Sequence, residues 1–325
     1  MKRRLRVLFY GVTHEHAIGK FETLRKLADD FEIVAVVDDR ARGTARFAKP
    51  IDLTGQNVIP ESEAWDVEDV DVGFVETTNA DLMGVAAEFI ERGIPIHCDK
   101  PSGEAMEPYR SLVETCRERN LPFQIGYMFR GNPAVKWIWK HVRAGKLGDL
   151  RFIEADMNHD YQADGYAEYL STFKGGIFYN LCCHLADMVV PLLSAPCSDA
   201  HAFLSPTNGK AYLRCGGTDV LLRAAAHLPG GTLARRLRID GTKGTIDLCP
   251  IERFDGKPLT LQRVAGSDVQ TFDFGVQTDR YAGQLLDLAA IVRGDKPNDQ
   301  DYDWDLKTHE LLLKACAGVQ GEGWK

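Results

Sequence analysis

Residues 5–16 read LRVLFYGVTHEH, and their order predicts the architecture of the first part of the chain. The first six residues are mostly apolar, which predicts a buried β-strand that ends at Gly11. The segment that follows has apolar residues at helical spacing, so a tight turn joins a strand to a helix. Dinucleotide-binding folds carry the sequence G-x-G-x-x-G at such a turn. Here only the first glycine is present, because Thr13 and His16 occupy the positions of the other two.

The alternation of strand and helix patterns continues to about residue 125. Four more apolar runs predict strands, and their sequences are EIVAVVDD, DVGFVETT, PIHCDKP and PFQIGYM. Two amphipathic segments between them predict helices, DLMGVAAEFIERG and EPYRSLVETCRERN. Continuous apolar strands separated by amphipathic helices are typical of a parallel sheet that is covered on both faces. We therefore predict a Rossmann-type dinucleotide-binding domain over residues 1–123.

The pattern changes after residue 125. A helix, a strand and an apolar helix come first, with the sequences PAVKWIWKHVRAG, LRFIEADM and NLCCHLADMVVPLL. Several strand-like runs follow between residues 200 and 274 without helices between them, which predicts a largely antiparallel sheet. Two helices, over about 279–293 and 303–319, end the chain. The predicted fold class is thus α/β, in which residues 124–325 form an α+β substrate and oligomerisation domain with a large, mainly antiparallel open sheet.

The composition limits the classes of partner and of site. Of the 325 residues, 44% are hydrophobic and 26% are charged, as in a soluble globular protein. No apolar run approaches the roughly 20 residues of a membrane span. The net charge of −8 and the lack of a basic face argue against a nucleic-acid partner. The eight cysteines contain no C-x-x-C pair, so we predict neither a zinc site nor a disulfide framework, and a cytoplasmic location.

Three features of the first domain fit a dinucleotide. Gly11 opens a helix whose free backbone N–H groups can face a phosphate. Asp38 ends the second predicted strand, where a carboxylate can accept hydrogen bonds from a ribose, which favours NAD. Arg40 and Arg42 follow it and keep NADP open, because an arginine there can hold a 2′-phosphate. The alternative is that Asp38 and its neighbour Asp39 are only polar residues at a strand end.

The second and third features follow later strands. Thr77, Thr78 and Asn79 come at the carboxyl end of the third strand, where ligands bind in such folds, although they could instead cap the next helix. Lys100, in CDKP, ends an otherwise apolar strand. Lysine is rarely buried, so its amine either enters the same crevice to contact a ligand or lies on the surface.

Several segments together resemble one enzyme family, Gfo/Idh/MocA (glucose–fructose oxidoreductase, inositol dehydrogenase and MocA). IHCDKPSG is similar to the family's E-K-P signature, and KGGIFYNLCCHLADMVV is similar to its stretch G-G-x-x-x-D-x-G-x-H-x-x-D. Three further segments agree in order and spacing: TTNADLMGVAAEFIERG, GYMFRGNPAVKWIWKHVRAGKLGDLRFIEA and IDGTKGTIDL. The resemblance covers nearly the whole chain.

The resemblance implies catalytic roles for Lys100, His184 and Asn180. His184 would accept the proton of a substrate hydroxyl, and Lys100 would steady the oxygen as the alcohol is oxidised. Asn180, His184 and Asp187 also share one side of a predicted helix by their spacing, although a lone histidine on an apolar helix is more often a core residue. The chain departs from the family pattern at two positions. Asn180 replaces an aspartate that is common in the family, and Cys182 replaces a glycine.

The remaining assignments complete the hypothesis of an NAD(P)-dependent oxidoreductase. It would transfer a hydride between nicotinamide and a hydroxyl or carbonyl group of a sugar, polyol or related small molecule. The expected substrate-binding residues are Arg130, His159, Tyr166 and Asp187. The expected cofactor-binding residues are Gly11, Thr13, His14, His16, Asp38, Thr77, Thr78, Asn79 and Lys100. The resemblance also implies a homo-oligomer, a dimer or a tetramer, that pairs through the open sheet.

Two alternatives remain from the sequence. Asn180 favours a family member that binds a sugar or nucleotide without turnover. The triplet His14-Glu15-His16 favours a metal-dependent enzyme, although we assign no metal ligand. On a helix the two histidines would lie roughly 200° apart, so they could share an ion only in an extended loop. The third ligand would then come from His159, Asp160 or His184.

Overall fold

The computed structural model describes residues 3–42, 50–161 and 165–317, and it forms two compact units. The first unit extends to Tyr127 and includes Tyr281–Leu306, and the second consists of Met128–Arg280 and the residues from Lys307. The change of unit thus falls at 127 rather than at the predicted 123. Residues 281–306, which the sequence analysis assigned to the second domain, pack with the first unit.

The first unit alternates strands and helices as its sequence pattern predicts. Its elements in this part of the chain are β1 (Leu5–Tyr10), α1 (Ala17–Lys26), β2 (Phe31–Asp38), β3 (Val58–Pro60), β4 (Val72–Val75), α2 (Leu82–Glu91), β5 (Ile96–Cys98), α3 (Met106–Glu118) and β6 (Phe123–Ile125). The strand order is β3-β2-β1-β4-β5-β6, and every pair is parallel. The chain reverses its direction of winding between β1 and β4, and ligands of such sheets bind at the carboxyl ends of strands beside this reversal.

Burial explains why these segments are strands. All four residues of β4 are buried, as are five of the six in β1, so both faces of the sheet are covered. The sequence analysis did not predict β3, because its three residues are largely exposed and end in a proline. The parallel sheet of the predicted first domain is confirmed.

The second unit is built around one large sheet. Its elements are α4 (Pro133–Arg143), β7 (Leu150–Asn158), α5 (Tyr166–Leu170), α6 (Gly176–Val189), β8 (Cys197–Leu204), β9 (Asn208–Cys215), β10 (Thr218–Ala225), β11 (Arg236–Gly241), β12 (Gly244–Leu248), β13 (Pro258–Ala265) and β14 (Asp268–Val276). The chain ends with α7 (Ala282–Val292), which belongs to the first unit, and α8 (Tyr302–Cys316), which begins in the first unit and continues in the second. The sheet order is β14-β13-β12-β11-β7-β10-β9-β8. Only β7 and β10 pair in parallel, which confirms a mainly antiparallel sheet.

The two faces of this sheet differ. Alternate residues of β9 and β10, such as Leu213 and Leu222, are buried on the face against which α6 packs. The opposite face carries ion pairs, including Arg223 with Asp156, whose closest atoms lie 2.5 Å apart. Strict alternation of buried and exposed residues is the pattern of a sheet that is covered on one side.

Two further observations bear on the sequence predictions. Cys197 and Cys215 form a disulfide, which the sequence analysis did not predict. The register of β8 and β9 places these two residues opposite each other, which their spacing in the sequence does not reveal. Among the described residues, no helix is long and apolar enough to cross a membrane.

Candidate active site

The turn after β1 requires a glycine at its first position. Gly11 has φ +98°, and a Cβ atom there would lie 2.7 Å from the backbone of Glu76 and Thr77. Any other residue would therefore clash with the end of β4 as well as strain the backbone. The close approach of β1 and β4 explains why the first position of the motif is a glycine, although the other two positions hold threonine and histidine.

Asp39 holds the rest of the turn in place. Its carboxylate accepts a hydrogen bond from the backbone N–H of Val12 at 2.8 Å and another from the hydroxyl of Thr13 at 2.5 Å. Asp39 is fully buried, and this burial raises the pKa of its carboxyl group. The sequence analysis considered Asp39 only as a polar strand-end residue. Its position next to Asp38 could have indicated its burial, because successive residues of a strand point to opposite faces, so the two carboxylates cannot share one environment.

Asp38 forms an ion pair with Arg40 at the end of β2. The Nε atom of Arg40 lies 2.8 Å and 3.0 Å from the two carboxylate oxygens of Asp38. Hydrogen bonding to Arg40 lowers the pKa of Asp38. Arg42 instead pairs with Glu61 and with Asp81, at 2.5 Å and 3.0 Å. Of the two arginines, only Arg40 is therefore held against Asp38.

His14 and His16 lie on either side of one buried carboxylate, that of Asp99. The Nδ1 atoms of His14 and His16 are 3.5 Å and 3.1 Å from the oxygens of Asp99. The Nε2 atom of His14 lies 2.9 Å from the amide oxygen of Asn79. Burial lowers the pKa of His14 to about 4, so its ring is neutral at pH 7. The structure thus brings together three residues that the sequence analysis assigned to cofactor binding, His14, His16 and Asn79.

Behind this pair lies a cluster of buried charges that the sequence analysis missed. The ammonium group of Lys20 is 3.1 Å from Asp99, 3.5 Å from Glu76 and 2.6 Å from His97. All four side chains are fully buried. Burial opposes the charge on Lys20, but the carboxylates of Asp99 and Glu76 outweigh it and raise the pKa of Lys20. For His97, burial and then Lys20 lower the pKa to about 3.

Lys100 is buried at the carboxyl end of β5. Its exposed fraction is 0%, and its Nζ atom lies 3.3 Å from a carboxylate oxygen of Glu15. The backbone N–H of Lys100 donates to Asp99 at 2.7 Å, so the lysine is fixed at the base of the cluster. Thr77 is also buried, and the hydroxyl of Thr78 donates to Asp81 just before α2 at 2.5 Å. A surface position for Lys100, the alternative left open by the sequence, is wrong.

In the second unit, Asn180, His184 and Asp187 all lie on α6 and are buried. The guanidinium group of Arg130 donates to both carboxylate oxygens of Asp187, at 2.9 Å and 3.1 Å from its Nε atom. Two residues predicted to bind substrate therefore bind each other. The ring of His184 meets the ring of Phe129 edge-on, with centroids 5.7 Å apart.

The segment after β7 contains the other two predicted substrate residues. The rings of His159 and Tyr166 both contact Tyr161, with centroids 4.4 Å and 5.1 Å away. Next to His159 lies a buried ion pair of Arg235 and Glu252, which the sequence analysis did not predict. Arg235 stands in the strand-like run TLARRLRI, whose arginines all resemble solvent-facing residues in the sequence alone.

Comparison with known proteins gives matches along the chain. Residues 135–247 match the model of the GFO/IDH/MocA C-terminal domain. The chain is 29% identical over 164 residues to the rhizopine catabolism protein MocA of Rhizobium meliloti, a match that covers 49% of this chain and 48% of that protein. It is 24% identical over 209 residues to levoglucosan dehydrogenase of Pseudarthrobacter phenanthrenivorans, covering 63% and 48%. These matches span about half the length of the curated relatives.

The fold has solved counterparts over its full length. One is KijD10, a 3-ketoreductase from Actinomadura kijaniata in complex with NADP and TDP-benzene, with a TM-score of 0.78. That alignment covers 97% of this chain and 98% of the other at 16% identity, so it shows the fold. These matches agree with the resemblance seen in the sequence: residues 135–247 are similar to the GFO/IDH/MocA C-terminal domain, and the chain has the same fold as solved oxidoreductases.

Proposed function

We propose that this protein is an NAD(P)-dependent oxidoreductase that acts on a hydroxyl or carbonyl group of a sugar, polyol or related compound. The observation that carries the proposal is the burial of Lys100 at the carboxyl end of β5, beside the first turn of a Rossmann-type sheet. A fully buried ammonium group is costly, so its position at the edge where ligands bind makes Lys100 a candidate functional residue. A relative named as a levoglucosan dehydrogenase agrees with this proposal.

The first unit offers a fitting site for a dinucleotide. The strand order and the close approach at Gly11 are those of dinucleotide-binding folds. Gly11, Thr13, Asp38 and the Thr77–Asn79 segment would hold the cofactor, which supplies the acceptor for the hydrogen that leaves the substrate carbon. Two backbone N–H groups of the turn are already bound, since those of Val12 and His14 donate to Asp39 and Glu76. We therefore expect weaker binding than an open glycine-rich turn gives.

In the proposed reaction, the chain contributes a proton acceptor and a hydrogen-bond donor. His184 accepts the proton of the substrate hydroxyl, a role for which imidazole is suited near neutral pH. By the role that the family resemblance implies, Lys100 donates a hydrogen bond to a substrate oxygen on which negative charge develops. Glu15, 3.3 Å from Lys100, orients the ammonium group. Asn180 can orient the imidazole through a hydrogen bond but cannot stabilise its cation as a carboxylate would.

The decisive experiment is a titration with NADH and NADPH followed by an assay of turnover on a panel of sugars and polyols. Lys100→Met should lower turnover by roughly 10²- to 10³-fold, as does the loss of a group that stabilises a developing oxyanion. Lys136→Met is the matched control, because Lys136 is an exposed lysine on α4 and should leave turnover unchanged. Cofactor binding without turnover on any substrate would instead support the non-catalytic alternative, and no binding would overturn the proposal.

The preference between the two cofactors tests the ion pair at the end of β2. If Asp38 binds the ribose hydroxyls, NADH should bind more tightly than NADPH. Asp38→Ala removes the carboxylate and releases Arg40 from its partner, so the gap between the two dissociation constants should narrow. Tighter binding of NADPH by the unaltered protein would show that Arg40 decides the preference.

The proposal includes a homo-oligomer that pairs through the exposed face of the eight-stranded sheet. Three large side chains on β7, β8 and β9 support it, because Phe152, Phe203 and Tyr212 are 53%, 73% and 40% exposed. Salt pairs surround them, among them Arg223 with Asp156. Sedimentation at micromolar concentration should give a dimer or a tetramer, and Phe203→Glu should shift it toward monomer. A monomer in the unaltered protein would contradict this part of the proposal.

A further inference from the structure

Two imidazole groups and one carboxylate converge at the carboxyl ends of β1 and β5. They belong to His14, His16 and Asp99, and one donor atom from each lies within 4.8 Å of the others. We propose that these three residues bind a divalent transition-metal cation such as Zn²⁺. The sequence analysis sought a third ligand in His159, Asp160 or His184, and the proposed ligand is instead Asp99, which directly precedes Lys100.

The distances between donor atoms suit a metal site. Zinc binds imidazole nitrogen and carboxylate oxygen at about 2.0–2.2 Å, so the donors of a tetrahedral site lie roughly 3.3–3.6 Å apart. The Nδ1 atom of His14 is 3.5 Å from one carboxylate oxygen of Asp99, and that of His16 is 3.1 Å from the other. The three donors lie within 4.8 Å of one another, so a bound ion would draw them closer together. Residues two apart cannot share an ion on a helix, but here the turn before α1 brings the two ring centroids to 5.0 Å.

The hydrogen bonds around His14 leave the lone pair of Nδ1 available to bind a metal. Because the amide oxygen of Asn79 can only accept, its 2.9 Å contact with Nε2 places the ring hydrogen on Nε2. The lone pair is then on Nδ1, which faces Asp99 and accepts a bond of 3.2 Å from the backbone N–H of His16. Ligation would replace that bond. Histidine ligands of metals are commonly oriented in this way by an oxygen on their other nitrogen.

A second, independent observation is the state of Glu76. Its carboxylate is fully buried, and neither of its oxygens accepts a hydrogen bond within the described part of the chain. It lies 3.9 Å from Nδ1 of His14 and 3.5 Å from the ammonium group of Lys20. Lys20 also serves Asp99, so one buried cation faces two buried carboxylates. A buried polar group without a hydrogen bond calls for a physical explanation, and an ion bound beside it is one.

The donor set limits the kind of metal. Two imidazoles with a carboxylate suit Zn²⁺ and other first-row divalent ions, whereas Mg²⁺ and Ca²⁺ prefer oxygen ligands alone. The site goes beyond the proposed oxidoreductase activity and does not depend on it, because its ligands are the chain's own residues. Its test therefore includes binding measurements that need neither substrate nor turnover.

The test uses untagged protein, stripped with a chelator and then loaded with Zn²⁺ or Co²⁺ alone. We expect one equivalent of Zn²⁺ per chain by elemental analysis after dialysis, and a visible Co²⁺ spectrum of nitrogen and oxygen ligation. His16→Gln should weaken Zn²⁺ binding by at least about tenfold, since even residues that only support a metal ligand contribute that much. His201→Gln is the matched control, because His201 is an exposed histidine on β8 and should leave Zn²⁺ affinity unchanged.

Each outcome decides the inference. Equal Zn²⁺ affinity in the unaltered protein, His16→Gln and His201→Gln would overturn the metal site. The absence of any bound Zn²⁺ would also overturn it, and a proton on Glu76 would then balance the charges of the cluster. Asp99→Asn, checked for folding by circular dichroism, should lose the Co²⁺ spectrum if the assignment is correct. NADH titrations of stripped and loaded protein separate the two proposals. If the protein binds Zn²⁺ but no dinucleotide, the metal site is supported and the oxidoreductase proposal is not. If it binds a dinucleotide but no Zn²⁺, only the oxidoreductase proposal is supported.

Discussion

His14 in the first unit and His184 in the second are equally hidden from solvent, with exposed fractions of 3% and 2%, yet their surroundings differ. His14 lies among charged groups, with Asp99 at 3.5 Å and Glu76 at 3.9 Å. His184 lies on a helix whose residues are all buried and mostly apolar, against the ring of Phe129. Burial alone therefore does not define the chemistry of a histidine; the charges brought to it by other segments do.

The largest expected effect tests the apolar side of this comparison. If His184 is the proton acceptor, His184→Ala should lower turnover by roughly 10²- to 10⁴-fold, the usual contribution of general base catalysis. Affinity for the dinucleotide should be unchanged, because the prediction assigns His184 to the substrate. His201→Ala, at an exposed position of β8, is the control. Full turnover by a folded His184→Ala protein would show that this histidine is only a core residue.

The next effect tests the charged side of the comparison. Lys20→Met should lower the free energy of unfolding by about 3–5 kcal/mol, because it leaves the carboxylates of Asp99 and Glu76 buried without their cation. Urea denaturation in the presence of a chelator measures this loss without a contribution from bound metal. Lys26→Met, at an exposed lysine in the last turn of the same helix, should change stability by less than about 0.5 kcal/mol. Similar values for both variants would show that the cluster is not a network.

The contrast between the two regions also explains what the sequence could predict. The stripe of Asn180, His184 and Asp187 lies within one helix, so its spacing placed the three residues on one side before the structure was known. The cluster instead joins Lys20 of α1 to side chains at the ends of β4 and β5 that follow it by 56 residues or more in the sequence. No local pattern carries that information. Only the parallel register of β1, β4 and β5 brings these segments together.

The fold was more predictable than the site for a related physical reason. Strands and helices are set by local periodicity, which predicted every strand of the parallel sheet except the short, exposed β3. Pairings of charged residues were not predictable, because charged side chains usually face solvent. Asp39 and Arg235 illustrate this, since both look like surface residues in the sequence and both are fully buried.

A smaller effect is expected for the partly exposed ion pair of Arg130 and Asp187. Arg130→Met should lower the free energy of unfolding by about 1.5–3 kcal/mol, because it removes charged hydrogen bonds to the buried carboxylate of Asp187. The loss should be smaller than for Lys20→Met, since Arg130 is partly exposed whereas Lys20 is fully buried. Arg143→Met, an exposed arginine at the end of α4, is the control. An equal or larger loss at Arg130 would reverse the ranking of the two regions.

The smallest effect comes from making the second region resemble the first. Asn180→Asp places a carboxylate one helical turn before His184, where an anion favours the protonated ring. Alcohol oxidation needs the neutral ring, so protonation of His184 sets the acidic limb of kcat/KM against pH. That limb should move to higher pH by about one unit, which corresponds to roughly 1.4 kcal/mol. The variant Asn180→Ser adds no charge and should leave the limb in place while it tests the effect of losing the amide. If the limb stays in place in an active Asn180→Asp protein, the two side chains do not act together, and the catalytic roles carried over from the family to α6 are wrong.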